Sequence, residues 1–149
     1  MIKPKDLAII AQLRTDGRMG LRDIGRKTEI PISTVYDRLQ EYKELIPRYA
    51  ALLNFSALGY KSRAFVLLKT KKENLAKLMN YLSEHKNTNS LFRINNGWDI
   101  LLDCVFTEMN TVEKFVDELE LKYQVKGKEI HYILDTINTE MFMTKENET

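Results

Sequence analysis

Five side chains that can donate or accept hydrogen bonds occur within eight residues of one another, at positions that share the outer side of a helix. They are Ser33, Thr34, Tyr36, Asp37 and Gln40. Val35, Leu39 and Tyr42 recur between them at the spacing of a buried helical stripe. Hydroxyl, amide and carboxylate groups of this kind contact base edges and phosphates when a helix enters a DNA groove. The stretch therefore predicts a DNA-recognition helix.

A shorter helical pattern precedes this stretch, with Leu21 and Ile24 facing inward, and a turn over residues 28–31 separates the two. Pro31 fixes its own φ and pushes Ile30 out of the helical region, so the turn is rigid where the second helix begins. Two short helices joined in this way predict a helix-turn-helix.

Positive charge accompanies the predicted helix-turn-helix. Residues 1–50 contain 10 Lys and Arg against 7 Asp and Glu, whereas the remainder contains 13 against 14. The cations that we assign to the DNA-contacting surface are Arg22, Arg26, Lys27, Arg38 and Arg48. An isolated cluster of cations is more often a solvated surface, but beside a helix-turn-helix we expect these to lie against the phosphate backbone of double-stranded DNA.

Three side chains on the predicted recognition helix need separate comment, because the role of one is ambiguous and the other two are acidic. Ser33 could help to hold a phosphate at the positive end of the helix, or it could only cap that end. Asp37 and Glu41 would repel phosphates, unless Asp37 pairs with Arg22 or accepts a hydrogen bond from a cytosine amino group.

The remaining composition narrows the class of protein. Cys104 is the single cysteine, so one chain can form neither an internal disulfide nor a cysteine metal site. No apolar run approaches the ~20 residues that span a bilayer, and no signal-peptide pattern is present. We expect a soluble, cytoplasmic protein that needs no membrane, metal or cofactor.

The N-terminal segment is predicted to complete the DNA-binding domain. A first helix follows Pro4, with Asp6 in its first turn, and ends by Thr15. Residues 48–54 have the composition of an extended wing strand. We therefore expect a winged helix-turn-helix domain over residues 1–54 and a linker over 55–60.

From Lys61 the predicted order becomes strand, helix, strand, strand, helix, strand, and this order is typical of a ferredoxin-like βαββαβ domain in an α+β protein. A capping box at Thr70 and Glu73 starts the first helix, and Asn110 caps the second. The last strand is expected over residues 127–137, the domain over 61–140 and a frayed polar tail over 141–149.

The strands of this domain are apolar on both faces. Val66 and Leu68 point to one side and Phe65 and Leu67 to the other, whereas helices can cover one face only. A second copy of the same sheet is the simplest cover, so we expect a homodimer that presents two recognition helices to DNA.

The chain resembles the Lrp/AsnC, or feast/famine, family of transcription regulators from near its N-terminus to about Ile137. The matching residues are Asp6, Ile10, Leu13, Asp16, Gly17, Arg18, Ile24, Gly25, Thr34, Val35, Arg38, Leu39, Leu58, Gly59, Trp98 and Asp99. The resemblance implies a winged helix-turn-helix joined to a ligand-sensing ferredoxin-like domain. It also implies dimers that assemble further, to tetramers or octamers, and an amino acid as effector.

The same resemblance implies an effector site between dimers near the turn before the third strand. The implied lining residues are Asn95, Asn96, Gly97, Asp99 and Thr136. The family usually has glycine where Asn96 stands, and Asn is the other residue that tolerates a left-handed backbone. A plain hairpin turn with Trp98 in an interface is the alternative interpretation.

Two alternative functions remain open at this stage. A decarboxylase of sirohaem-type tetrapyrroles can have the same two-domain plan, and His85, His131, Arg63 and Arg93 would be its candidate residues. The chain contains no paired carboxylates, phosphate loop or nucleophile motif that would predict another enzyme. A ligand-binding protein that has lost DNA binding is the second alternative.

Overall fold

A computed structural model describes residues 1–145. The chain forms two compact units, which we call the helical unit (residues 1–52 with 137–145) and the sheet unit (residues 53–136). These units differ from the predicted domains mainly at the C-terminus, because the segment after residue 136 belongs with the helices. The chain thus passes from one unit to the other twice.

The helical unit contains the three predicted helices, which are α1 (Pro4–Thr15), α2 (Leu21–Thr28) and α3 (Ile32–Glu41). Its core consists of Ile9, Ile24, Val35 and Tyr42, all of which are buried. The inward assignment of Ile24, Val35 and Tyr42 is confirmed, and the apolar stripe of each helix faces the other two.

The turn between α2 and α3 depends on a close approach at Gly25. A Cβ atom at this position would lie 2.9 Å from the carbonyl oxygen of Ile30 and 3.3 Å from Cγ1 of Ile32. Glu29 ends α2 in a left-handed conformation with φ of 57°. The chain can therefore fold back at once and set α3 against α2.

The predicted wing strand is absent from the structure of this chain. Residues 48–54 form neither helix nor strand, and a short 3₁₀ helix, Ser56–Leu58, follows them. A strand exists only where its backbone groups find a partner strand, and residues 48–54 have none within the described chain. The prediction of a strand from local composition was wrong.

The sheet unit has the predicted ferredoxin-like order of elements. They are β1 (Ser62–Thr70), α4 (Lys72–Glu84), β2 (Thr88–Arg93), β3 (Ile100–Phe106), α5 (Met109–Tyr123) and β4 (Val125–Tyr132). The four strands form one antiparallel sheet in the order β2-β3-β1-β4. Even-numbered residues of β1 and β3, including Val66, Leu68 and Leu102, pack against Leu78 and Val116 of the two helices.

Three local predictions in this unit were wrong. Thr70 does not cap α4, because it is the last residue of β1 and its hydroxyl donates to the carbonyl of Tyr123. Asn110 is the second residue of α5 and Glu108 takes the N-cap position. The last strand begins at Val125 and ends at Tyr132, which pairs with Ala64 of β1, so it is shorter at its C-terminal end than predicted.

The C-terminal segment is docked on the helical unit, at least as far as residue 145. The guanidinium of Arg14 donates to the carbonyls of Glu140 and Phe142, at 2.9 and 3.0 Å, and pairs with the Glu140 carboxylate at 3.1 Å. The hydroxyl of Thr15 contacts the carbonyl of Thr144 at 3.2 Å. The predicted fraying is thus wrong for residues 141–145, and residues 146–149 lie outside the described part.

Candidate nucleic-acid interface

The outward face of α3 is exposed, as the spacing predicted. Ser33, Tyr36, Asp37 and Gln40 are exposed, whereas Thr34 is half-buried. Ser33 does not cap α3, because Pro31 occupies the N-cap position and no side chain caps the helix. The first N–H groups of α3 therefore have no intrahelical acceptor. Together with the Ser33 hydroxyl, they offer donors to an anion.

Beside α3, the cations of α2 also point away from the core. Arg22, Arg26 and Lys27 are exposed, and Arg26 forms a surface ion pair with Asp23 at 3.2 Å. Arg48 is exposed in the segment without regular structure. Surface pairs of this kind are weak, so the three α2 side chains remain able to meet phosphates.

Arg38 is the predicted DNA contact that the structure places elsewhere. Its Nε and Nη2 atoms donate to the two carboxylate oxygens of Asp6, at 2.6 and 2.8 Å, and Nη1 pairs with Glu41 at 2.7 Å. The side chain is largely buried against α1. Arg38 therefore joins α3 to α1, and its guanidinium does not lie on the exposed face of the helix.

The role of Asp6 is the feature that sequence reasoning missed, since the residue was placed in the first turn of α1 and among the matching residues but was given no partner. The residue is 0% exposed, and its carboxylate accepts hydrogen bonds from Arg38, from the Tyr42 hydroxyl at 2.6 Å and from the backbone N–H of Lys3 at 2.8 Å. These donors, Arg38 first, hold the pKa of Asp6 well below its usual range. The four-residue spacing of Arg38 and Tyr42 was the available signal.

The two acidic residues of α3 differ in their surroundings. Glu41 pairs with Arg38 and its charge is thereby balanced. Within residues 1–145, Asp37 forms no ion pair, so the pairing with Arg22 that the sequence suggested is not formed. Its carboxylate is free to accept a hydrogen bond from a base.

The turn that was predicted to line an effector site has the expected backbone. Asn96 has φ of 63° and Gly97 has φ of 89°, so the left-handed conformation of Asn96 is confirmed. Asn95, Asn96 and Gly97 are exposed. Asp99 is half-buried, and one of its carboxylate oxygens accepts the backbone N–H of Thr70 at 2.9 Å, so this residue supports the turn as well.

Thr136 lies beyond the end of β4, so its predicted position on the last strand is wrong.

Two clefts occur elsewhere in the sheet unit. The first, of about 550 Å³, is lined by Leu53, Phe55, Leu58, Tyr60, Lys86, Asn87, Thr88, Asn89, Val105, Phe106, Thr107 and Thr111. The second, of about 780 Å³, is lined by Lys77, Asn80, Tyr81, Glu84, His85, Lys86, Lys122 and Tyr123. Neither includes a residue of the turn.

The face of the sheet away from α4 and α5 carries apolar side chains beside a central ion pair. Arg63 forms two hydrogen bonds with the Asp103 carboxylate, at 2.9 and 2.8 Å. Around this pair lie Phe65, Leu67 and Leu101, which are half-buried, and Phe92, which is 51% exposed. We call this surface the open face. The sequence indicated its apolar residues but not the ion pair.

The candidate residues for tetrapyrrole chemistry are not assembled in one cavity. Arg63 is engaged with Asp103, and His131 bonds with Glu129 at 2.7 Å on the open face. His85 lies on the opposite side of the sheet, with its ring 4.6 Å from that of Phe115, and burial lowers its pKa. Arg93 lies exposed at the end of β2.

Comparisons with known proteins agree with this architecture. Residues 4–43 match the AsnC-type helix-turn-helix domain. The HTH-type transcriptional regulator FL11 of Pyrococcus abyssi is 26% identical over 133 residues, which cover 88% of each chain. Among solved structures, the LrpC protein of B. subtilis has a TM-score of 0.84 at 22% identity, over 93% of this chain and 99% of its own.

Two further solved structures are complexes with an amino acid. The regulator NMB0573 of Neisseria meningitidis, in complex with L-Met, has a TM-score of 0.85 at 22% identity, over 93% of this chain and 94% of its own. The feast or famine regulatory protein Rv3291c of M. tuberculosis, complexed with L-methionine, has a TM-score of 0.80 at 18% identity, over 93% and 96%.

The fold and the matched domain define this chain as a transcriptional regulator with a DNA-binding helix-turn-helix. The resemblance to the Lrp/AsnC family seen in the sequence is confirmed by the AsnC-type helix-turn-helix domain that residues 4–43 match. Among residues 1–145, no helix is both long and apolar enough to cross a membrane. No group of three metal-binding side chains occurs in the same residues.

Proposed function

We propose that the helical unit binds double-stranded DNA with α3 in the major groove and α2 across the phosphate backbone. The observation that supports this most directly is the exposed outer face of α3, where Ser33, Tyr36, Asp37 and Gln40 are all free to meet base edges. We leave Arg38 out of this role, because its guanidinium is held by Asp6.

Phosphate contacts would come from two neighbouring sources. Arg22, Arg26 and Lys27 are exposed on α2, and the first N–H groups of α3 have no side-chain cap at the end where the helix dipole is positive. Half or more of the hydrogen bonds in protein–DNA complexes go to the backbone. These contacts would fix the position of α3 without selecting sequence.

Binding to genomic fragments, measured at increasing salt, tests this proposal. We expect affinity to fall steeply with salt, and the double change Arg22→Ala and Arg26→Ala to reduce the slope of log affinity against log salt by about 2. The matched control is Lys126→Ala, an exposed cation of the sheet unit, which should leave the slope unchanged. Absence of binding to every fragment at low salt would leave a ligand-binding protein that has lost DNA binding.

We infer that the protein acts as a homodimer joined through the open face. Phe65, Leu67, Leu101 and Phe92 form an apolar surface that one chain leaves partly uncovered, and a two-fold axis would cover it with a second copy. Two copies of α3 would then meet two halves of one DNA site. Assembly into tetramers or octamers is a further step of the same proposal.

An amino acid is the proposed effector, and L-methionine is the first candidate because two regulators of similar fold are known in complex with it. The exposed groups of Asn95, Asn96 and Gly97, with the second oxygen of Asp99, could hold its charged ends. Calorimetric titration with each amino acid tests this. Asn95→Ala should abolish the heat of binding, whereas Asn80→Ala, an exposed change on α4, should not.

A further inference from the structure

The outer face of α3 also presents two large side chains with apolar surface, Ile32 and the ring of Tyr36. Ile32 is 46% exposed and Tyr36 is 52% exposed. They are four residues apart, so they are neighbours on one side of the helix. Single exposed apolar residues are ordinary on a protein surface, but these two lie together on the surface that faces the DNA in the proposed function.

Their position in the helix places them where bases are read. Ile32 is the first residue of α3 and Tyr36 is the fifth, and the N-terminal part of a recognition helix contacts base edges. The sec-butyl side chain of Ile32 and the ring face of Tyr36 are apolar, and of the two residues only Tyr36 has a side-chain hydrogen-bonding group, at the far end of its ring. Contact with DNA must therefore favour a base that offers apolar surface.

Ile32 is also held in place before any DNA is bound. Its Cγ1 lies 3.3 Å from the position that a Gly25 Cβ would occupy, so its inner side rests on α2 where only glycine leaves room. Pro31 fixes the backbone immediately before it. One side of Ile32 is thus packed and the other is presented to solvent with little freedom to move.

In the major groove, the C5-methyl group of thymine is the apolar group that a base pair presents. We propose that Ile32 and Tyr36 read thymine methyl groups, so that the preferred DNA site has thymine opposite the first turn of α3. This inference rests on the proposed placement of α3 in the major groove. It adds to that placement a particular base and a particular atom.

The test uses the full-length protein and a duplex that it selects from a random pool. Each thymine of that duplex is replaced singly by uracil, which removes only the methyl group and leaves the hydrogen-bonding groups unchanged. We expect one or two positions in each half-site at which uracil weakens binding by about fourfold, the effect of one lost methyl contact. Ile32→Ala should bind the thymine and uracil duplexes equally at one of these positions, and Tyr36→Ala should do so at the other.

Three variants separate this role from a loss of folding. Ile32→Val removes one methyl group and should leave a smaller difference between thymine and uracil. Tyr36→Phe keeps the ring and should keep the difference at its position. Gln40→Ala, the matched control on the same face, should weaken binding and preserve both differences. Circular dichroism and melting confirm that each variant is folded.

The outcomes distinguish this inference from the function on which it rests. If the protein binds the selected duplex and no uracil substitution weakens that binding, the reading of methyl groups is overturned while DNA binding stands. If uracil weakens binding equally for the wild type and for Ile32→Ala and Tyr36→Ala, other residues contact the methyl groups and the assignment is overturned. If no duplex is selected, both proposals fail.

Discussion

Asp6 shows how one buried charge can decide the geometry of a DNA-binding surface. Its carboxylate accepts hydrogen bonds from Arg38 and Tyr42 and so joins α1 to α3. These hydrogen bonds fix the rotation of α3 about its axis. Asp6→Ala would leave Arg38 without its partner, and removing one member of a buried pair costs about 3 kcal/mol. We expect a loss of this size in the free energy of unfolding of the helical unit, measured by urea denaturation.

The control for Asp6 is Asp23→Ala, which removes an exposed ion pair with Arg26. Exposed pairs contribute about 0–1 kcal/mol, so this variant should remain close to the wild type. Equal effects of the two changes would show that the Asp6 cluster does not hold α3 in place.

The same cluster predicts how stability depends on pH. The folded pKa of Asp6 is lowered, chiefly by Arg38, below its unfolded value of about 4. A lowered pKa adds stability above the unfolded pKa, and this stability is lost as the pH falls toward the folded pKa. The wild type should therefore lose stability below about pH 5 more steeply than Asp6→Asn, as measured by urea denaturation between pH 7 and 3.

Gly25 sets the distance between α2 and α3. Gly25→Ala would place a methyl group 2.9 Å from the carbonyl oxygen of Ile30, and the overpacking should cost about 1–3 kcal/mol. Gly20→Ala is the matched control, because nothing lies within 4 Å of the added atom. Thermal melting of both variants should show a clear loss for the first and little change for the second.

At the scale of elements, the docked C-terminal segment depends on Arg14. Arg14→Ala removes the three contacts to Glu140 and Phe142, so residues 137–145 should become accessible to proteases and exchange their amide hydrogens faster. Arg18→Ala, an exposed cation a few residues away, should change neither rate. Unchanged protection in Arg14→Ala would mean that the segment is held by other contacts.

Elements were predictable where local pattern alone determines them. The bounds of α1, α2 and α3 follow from apolar spacing interrupted by Pro and Gly. The caps at Thr70 and Asn110 could not be predicted, because the bulge where β1 meets β4 and the course of the chain into α5 decide where each helix begins. The wing strand was also predicted wrongly because strand formation requires a partner strand, and local composition does not reveal whether one is present.

The candidate site was likewise predictable only where local pattern determines it. The exposure of Ser33, Tyr36 and Gln40 followed from helical spacing, whereas the inward position of Arg38 requires knowing that Asp6 is buried beside it. The ion pair of Arg63 with Asp103 was likewise hidden, because 40 residues separate its partners and only the register of β1 with β3 brings them together.

At the scale of the whole molecule, the open face predicts self-association. Leu101→Glu would place a charge on its apolar surface beside Phe65 and Phe92, and a buried unpaired charge opposes association strongly. We expect a shift from dimer to monomer in sedimentation velocity. Leu121→Glu, on α5 and already 87% exposed, is the control and should remain dimeric. A dimer in both variants would place the interface elsewhere.

Because the chain passes between the units twice, the sheet unit is an insertion within the helical unit. The sheet unit is therefore one continuous fragment that could be expressed alone, whereas residues 1–52 alone would lack the segment that Arg14 holds. A fragment of the helical unit that keeps the Arg14 contacts would need residues 137–145 as well. To separate the two units, residues 53–136 should therefore be removed as one internal fragment, because a single cut would divide the helical unit.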